Sequence, residues 1–250
     1  MSPRIVLILG RIPRIGWAVA QKFREEGYCV AIGGNDTDIE RAEKEGLLPL
    51  AVDVGQINSV EDAFEEVKRQ LGIPNVVVYH AEGLAFPQDP ADPFSIAPAA
   101  LLEDMATIAV GGYTSLREAV SGFKALDRTG GRSLPKAFIA TGSVMSCDPE
   151  DLRSTWGASK AALLNALEAS AYRYGKDGYR FYLASQIEVE GDPHLCPVIN
   201  GDAHAMAYWK LTEQSTPKDD DERSDWPLDD DWNVWFVSDG TLIPAHPLER

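Results

Sequence analysis

Residues 5–23 read IVLILGRIPRIGWAVAQKF. Five apolar β-formers, Ile5 to Leu9, stop at Gly10. A short connection holding Pro13 follows, and apolar residues then recur at helical spacing from Ile15 through Val19 to Phe23. This is the pattern of a strand, a tight turn and a helix. Such a turn leaves the first N–H groups of the helix unpaired at the carboxyl end of the strand, where the helix dipole favours an anion. A phosphate is the natural guest.

The rest of the chain keeps the same alternation. Tyr28 to Ile32 reads as a second strand ending at Gly33-Gly34-Asn35-Asp36, Thr37 to Glu45 as a polar helix, and Leu47 to Val52 as a third strand. Asp53 follows at once. Ser59 then starts an amphipathic helix with Val60, Ala63, Phe64, Val67 and Leu71 on one face. Val76 to Tyr79 is a continuous apolar run suited to the buried middle of a parallel sheet. A Pro- and Asp-rich loop, Phe86 to Pro98, precedes a long helix over Leu101 to Leu126, expected to be interrupted at Gly111-Gly112. Lys136 to Thr141, Tyr179 to Ile187 and Trp232 to Val237 are the remaining strands, with helices at Ser154 to Tyr174 and Ala203 to Gln214. Strands alternating with helices make a doubly wound parallel sheet, a three-layer α/β/α sandwich of the Rossmann type. The whole chain, 1–250, is expected to be a single domain, with Lys218 to Asp231 as an acidic, solvated insertion loop.

A chain of 250 residues with 44% hydrophobic and 25% charged residues has the composition of an ordinary globular protein with a sizeable core. Its net charge of -16 repels phosphate backbones and anionic lipid, so neither nucleic acid nor a membrane is expected as a partner. An anionic ligand therefore needs a local positive pocket, and Arg4, Arg11, Arg14, Lys22 and Arg24 cluster near the amino end. No apolar run reaches membrane-spanning length, and the first one is too short for a secretion signal. The three cysteines, Cys29, Cys147 and Cys196, are widely spaced without a metal-binding pattern, so a reduced cytoplasmic protein without a metal is expected.

Over nearly its whole length the chain resembles the short-chain dehydrogenase/reductase family. In that family the first turn reads T-G-x-x-x-G-x-G; here Gly10 and Gly16 match and Arg14 stands at the middle glycine. The stretch AVDVGQINSVEDAFEEVKRQLGIPNVVVYHAEG is the best-preserved part. The resemblance implies that Asp53, with Val54 beside it, meets the adenine of a dinucleotide; the rival reading of Asp53 is a helix-capping or turn aspartate. The family's N-N-A-G appears as Tyr79-His80-Ala81-Glu82, where small Ala81 lets the chain pass close to the cofactor. Gly142-Ser143-Val144 matches the serine motif. Thirteen residues beyond Ser143, the Y-x-x-x-K pair appears as Trp156-Gly157-Ala158-Ser159-Lys160. The Asn of the long helix falls at Ala109, and the Pro-Gly turn after the sixth strand is replaced by Ala184 to Ile187.

By this resemblance Gly10, Arg11, Arg14, Ile15, Gly16, Asn35, Asp53, Val54, Ala81 and Lys160 are the cofactor-binding candidates, and Ser143, Lys160 and Trp156 the catalytic ones. The family's Tyr gives and takes a proton, which an indole N–H does not do near neutral pH. Three routes stay open: a substrate that is already cationic, such as an iminium, facing the Trp156 ring; a substitute acid, with Asp148, Glu150, Asp151 and His80 as candidates; or no redox step. Trp156 is read either as lining a pocket, with room for a flat ligand beside Gly157 and Ala158, or as a core aromatic. Cofactor choice rests on the end of the second strand, where Gly34 and Asn35 bring neither the NAD-type acid nor the NADP-type Arg. Arg11, Arg14 and Asn35 favour NADP(H) over NAD(H). Asp36 is the counter-signal, unless it caps the next helix.

The expectation is an NADP(H)-dependent oxidoreductase reducing a small organic carbonyl or iminium compound, with a non-redox cyclase or isomerase, or a dinucleotide-sensing protein, as the alternative. Tyr-less relatives that resemble this chain, including ones with a G-x-G-P-x-I-G turn, occur in fungi and some act on natural-product intermediates. The family also implies a homodimer or homotetramer through its long helices.

Overall fold

The computed structural model describes residues 3–83, 85–89, 92–142, 154–187, 199–214 and 232–243. Eight strands form one sheet: β1 (Ile5–Gly10), β2 (Cys29–Gly34), β3 (Leu48–Ala51), β4 (Val76–His80), β5 (Ala137–Thr141), β6 (Arg180–Gln186), β7 (Asn233–Phe236) and β8 (Leu242–Ile243). Their order is β3-β2-β1-β4-β5-β6-β7-β8, parallel throughout except for the last, antiparallel pair. The chain winds outward from β1 to β3, then returns to place β4 on the other side of β1. That reversal opens a crevice at the carboxyl ends of β1 and β4.

Alternate side chains of the strands feed two separate cores, as the two-residue strand period requires. Ile5, Leu7, Leu9, Val77, Tyr79, Phe138 and Phe181 pack with Val60 and Phe64 of α3 (Ile57–Gln70), Leu116 and Phe123 of α5 (Gly111–Arg128), and Leu163 and Leu167 of α6 (Ser154–Tyr174). Val6, Ile8, Ile32, Val76, Val78 and Ile139 face the other way, onto Val19 and Phe23 of α1 (Trp17–Glu25), Ala42 of α2 (Ile39–Lys44), and Tyr208 and Leu211 of α7 (Gly201–Gln214). Each fully buried aliphatic or aromatic side chain contributes roughly 1.5–3 kcal/mol relative to exposure. The sheet is thus buried on both faces, which is why β1 and β4 read as unbroken apolar runs rather than alternating ones.

The structure corrects three expectations. The second strand does not stop at Ile32 but runs through Gly33 and Gly34. A side chain at Gly34 would lie 1.9 Å from the Gly10 carbonyl oxygen, so the glycines serve close strand approach rather than a turn. The long helix is not broken at Gly111-Gly112. Its distortion comes earlier, as a π-helical segment at Met105–Val110 between α4 (Pro98–Asp104) and α5. Gly111 lies against the Val54 carbonyl and Gly112 against Leu163, so their small size lets α5 settle on the loop after β3 and on α6. Asp36 does not cap α2; Asp38 does, accepting from the Arg41 N–H at 3.0 Å. The hairpin partner β8 gave no sequence signal, being two residues long. The acidic segment 218–231 lies outside the described residues.

At the amino ends of the strands, Asn75 is fully buried. Its Oδ1 accepts from the Ile5 N–H at 2.7 Å and its Nδ2 donates to the Pro135 carbonyl at 2.9 Å, tying β1, β4 and the entry to β5 together. Asn75→Ala would strand both groups without water, and each costs about 1–3 kcal/mol when left unsatisfied. A loss of about 3 kcal/mol in a urea melt is the expected result; Asn75→Asp, whose carboxylate would face the Pro135 carbonyl away from water, should lose at least as much.

Candidate active site

Apart from those on the loops after β2 and β3, the candidate residues that the structure describes sit around the crevice at the ends of β1, β4 and β5. Gly10 closes β1 with φ +117°, and an added Cβ would lie 2.0 Å from the His80 carbonyl oxygen. That oxygen accepts the Arg11 N–H at 2.7 Å, which holds the turn against β4. From Ile12 to Gly16 the chain forms a kinked π-turn, and regular helix begins at Trp17 rather than at Ile15. Ile15 and Gly16 are buried, and Gly16 packs against the Arg11 carbonyl and the Ile12 side chain.

Arg14, at the position of the missing middle glycine, has φ +66° and ψ -91°. Among the described residues it is the one non-glycine with positive φ. An L-residue there carries about 1–3 kcal/mol of strain. Its guanidinium donates to the Ile199 carbonyl at 2.9 Å on the surface. Relief of strain, less the entropy a glycine adds to the unfolded chain, makes Arg14→Gly about 1 kcal/mol more stable. Paired urea melts check this, and an unchanged or lowered midpoint would show that the guanidinium contact outweighs the strain.

Charged groups flank the turn on both sides. The Asp36 carboxylate accepts the Ile12 N–H at 3.2 Å, so it braces β2 against the turn. Arg11 pairs with Glu82 at 3.3 Å, both partly exposed. Asn35 is exposed beside them. On the neighbouring loop Asp53 is exposed, and its Oδ1 accepts the Gly55 N–H at 3.0 Å, the turn-aspartate geometry; Val54 is buried behind it.

Under the crevice lies a buried polar cluster. Lys160, 2% exposed, donates from Nζ to the Thr141 carbonyl at 2.7 Å. Burial pushes its pKa down to about 8, against a raising influence from Glu82. Thr141 also shares a hydrogen bond of 2.7 Å with the Tyr208 hydroxyl, which links this end of β5 to α7. His80 is buried at the end of β4, and its Nδ1 has no hydrogen-bond partner among the described residues. Burial holds its pKa well below the usual histidine range, helped by Lys160, His204 and Arg11, so the imidazole is neutral near pH 7. The Tyr79 hydroxyl donates to the Thr107 carbonyl of the π-helical segment, and Ala81 is buried just beyond.

Trp156 is 7% exposed and belongs to the core that α3, α5 and α6 share, with the Lys160 Nζ 5.6 Å from its ring centroid. It is packed as a core aromatic and at the same time borders the lysine. Ser143, with Asp148, Glu150 and Asp151, lies outside the described residues; Thr141 and Gly142 bring the chain to the end of β5 just before it. Ala109, on the π-helical segment, brings no polar side chain.

Two further residues border the site without any signal in the sequence. Asp104, at the end of α4, is 4% exposed and accepts the Thr155 hydroxyl at 2.7 Å. Gly83 sits between it and Trp156: a Cβ there would lie 2.3 Å from the Asp104 Oδ1 and 2.8 Å from the Trp156 Cδ1. Asp104 and Thr155 are far apart in sequence, and an Asp in a polar stretch carries no pattern that reveals a buried partner.

A parallel sheet with its switch point at a glycine turn and a buried lysine at the same end defines a Rossmann-type α/β protein. A family model described as enoyl-(acyl carrier protein) reductase matches residues 14–191. A short chain dehydrogenase/reductase, dmxR12, of Cryptosporiopsis sp. (strain 8999) is 31% identical over 86% of this chain and 89% of its own length. The chain belongs to the short-chain dehydrogenase/reductase family. Its fold is similar to that of a 3-ketoacyl-(acyl-carrier-protein) reductase from Brucella melitensis complexed with NADH, with TM-score 0.73, 18% identity and coverage of 95% and 97% of the two chains. It is also similar to a metagenomic short-chain oxidoreductase in complex with NADP, with TM-score 0.70, 21% identity and coverage of 84% and 90%.

Proposed function

We propose that the protein is an NADP(H)-dependent reductase of a small organic carbonyl or iminium compound that works without the family's tyrosine. The observation that carries this reading is Lys160, a buried ammonium held at the end of β5 beside the switch point, where a merely structural residue has no need of charge. The similar structures complexed with NADH and with NADP support a nicotinamide dinucleotide as the cofactor.

The residues present fit such a group. The His80 Nδ1, buried without a partner among the described residues, is a polar atom awaiting one at the crevice. Gly10 and Gly16 keep side chains off the turn, and the amino end of α1 would offer a partial positive charge to a pyrophosphate. Arg11, Arg14, Ile15 and Asn35 would hold the phosphate side, Asp53 and Val54 the adenine, Ala81 and Lys160 the ribose and nicotinamide side. Arg11 and Arg14 favour a 2′-phosphate; Asp36, turned to the Ile12 N–H, opposes it at short range. The cofactor, when bound, supplies hydride. The protein's own part is to orient the substrate against the Trp156 edge, with Ser143 as a hydrogen-bond donor, and to keep a positive charge at Lys160 near the oxygen on which negative charge develops.

Titration with NADPH and with NADH, followed by nicotinamide fluorescence and by calorimetry, tests the reading. Tight NADPH binding with a fluorescence change is the expected result, and Arg14→Gly should weaken NADPH roughly tenfold while affecting NADH less. No binding of either dinucleotide at millimolar concentration sinks the reductase reading in favour of a cyclase or isomerase on the same fold. Trp156 in the place of the acid/base is the observation that favours that second reading.

A further inference from the structure

A cleft of about 330 Å³ opens between the chain after β4 and α4, lined by Ala85, Phe86, Ile96, Ala100, Glu103 and Asp104. Its size suits a small organic molecule, and its lining mixes apolar side chains with the polar Gln88, Ser95, Glu103 and Asp104. One of those polar groups is the buried Asp104 carboxyl, which shares with the Trp156 ring the space beside Gly83. The cleft and the position of the lost tyrosine therefore adjoin at this carboxyl.

We propose that Asp104 is the proton donor of the site, its carboxyl giving a proton to the oxygen of a carbonyl compound bound in the adjoining cleft. The proposal rests on the reductase reading above. A bound reduced nicotinamide would supply the hydride that forms the C–H bond as the C=O π bond breaks, and the oxygen would take the Asp104 proton to give an alcohol. Asp104 is left as a carboxylate, which water entering by the cleft reprotonates.

The surroundings disfavour the ionised form of this carboxyl. Among the described residues no cation pairs with Asp104, and burial raises its pKa, with a smaller push from Glu103 and a counter-pull from the Thr155 hydroxyl. Of the elements packed on it, α6 brings Thr155 and Trp156 and the chain after β4 brings Gly83, none of them charged. Lys160, the nearest cation of α6, directs its ammonium to the Thr141 carbonyl. Gly83 has its own reason here: any side chain at that position would displace the carboxyl or the indole.

The test uses the full chain, with Asp104→Asn and Asp104→Glu, and two readouts. Infrared difference spectra of wild type against Asp104→Asn, without any ligand, report whether this carboxyl is protonated; a carboxylic-acid carbonyl stretch near neutral pH, absent from the Asn variant, is expected. Turnover of phenanthrenequinone with NADPH is the second readout. Asp104→Asn is expected to lose roughly 100-fold or more in kcat with unchanged KM and unchanged NADPH affinity, and Asp104→Glu to recover part of it. An ionised carboxyl at neutral pH, an Asn variant as active as wild type, or a wild type that binds NADPH yet leaves this activated diketone untouched each overturns the proposal. A wild type that binds no NADPH overturns the reductase reading instead, and direct binding titration separates that outcome from the others.

Discussion

Gly10→Ala is expected to lower the unfolding free energy by about 4 kcal/mol, the sum of roughly 1–3 kcal/mol for backbone strain and 1–3 for overpacking. The backbone at Gly10 has φ +117°, outside the region that L-residues favour, and the new Cβ would lie 2.0 Å from the His80 carbonyl oxygen. That obstacle is backbone, so no rotamer change relieves it. Either β1 parts from β4 at its end, or the turn loses the Arg11 N–H bond to the same oxygen. For a chain of this size the loss corresponds to a fall of about 8–16 °C in Tm. Gly46→Ala is the matching control: its φ is +72°, but nothing lies within 4 Å of the new methyl group, so only the strain remains. Equal losses in the two variants would refute the close approach of β1 and β4.

Replacing Lys160 with Met should abolish most activity, by roughly 100-fold or more if the ammonium stabilises a developing alkoxide. It should also change how stability depends on pH. Burial lowers the Lys160 pKa from 10.5 to about 8. Below pH 8 both folded and unfolded chains carry the proton, and the full cost of the buried charge is present. Between pH 8 and 10.5 the unfolded chain alone stays protonated, so wild-type stability rises with pH through that window, by on the order of 3 kcal/mol. Tyr79 and Tyr208, whose pKa values burial raises, act in the opposite sense at the alkaline end as their unfolded counterparts ionise. The difference between wild type and Lys160→Met at each pH cancels that contribution. A difference that stays flat from about pH 7 to 10 would mean that Glu82 offsets the desolvation of the ammonium.

The fold was legible because its determinants are local and periodic. Ile5 to Leu9 and Val76 to Tyr79 are apolar on both faces, as only the middle strands of a doubly covered parallel sheet need be, and the 3.6-residue pattern of Val60, Phe64 and Val67 names the face of α3 that the core accepts. Glycines were the weak point. Gly33, Gly34, Gly111 and Gly112 read as interruptions, since glycine costs entropy in regular elements; here each removes a side chain where backbone or a neighbouring side chain passes close. The distortion before α5 carries no glycine or proline at all, only Met105 to Val110, and its visible correlate is a tertiary bond from Tyr79 to the Thr107 carbonyl.

The candidate site stands out in the sequence only in part. Gly10, Gly16, Trp156 and Lys160 stand out by spacing, and the crevice brings them to one end of the sheet. Of the replacement acids, Asp148, Glu150 and Asp151 suggest themselves by nearness to Trp156 along the chain, whereas Asp104 reaches Thr155 across 51 residues of chain separation and through tertiary packing. Arg14 looks in the sequence like a binding residue that has displaced a glycine; its positive φ adds that the backbone there kept the glycine's conformation.

The strand order has a consequence for the life of the chain as it is made. β1 lies at the centre of the sheet, yet its second neighbour, β4, is encoded some 70 residues later and pairs with it from Val6↔Val76 to Gly10↔His80. Until β4 leaves the ribosome, the growing chain presents β1 as a bare edge of five aliphatic residues, with neither charge nor proline to discourage pairing with another chain. A nascent fragment ending in α3 is therefore the species that chaperones must shield, and truncation between Gln70 and Val76 turns the most protected strand of the finished protein into its most aggregation-prone one.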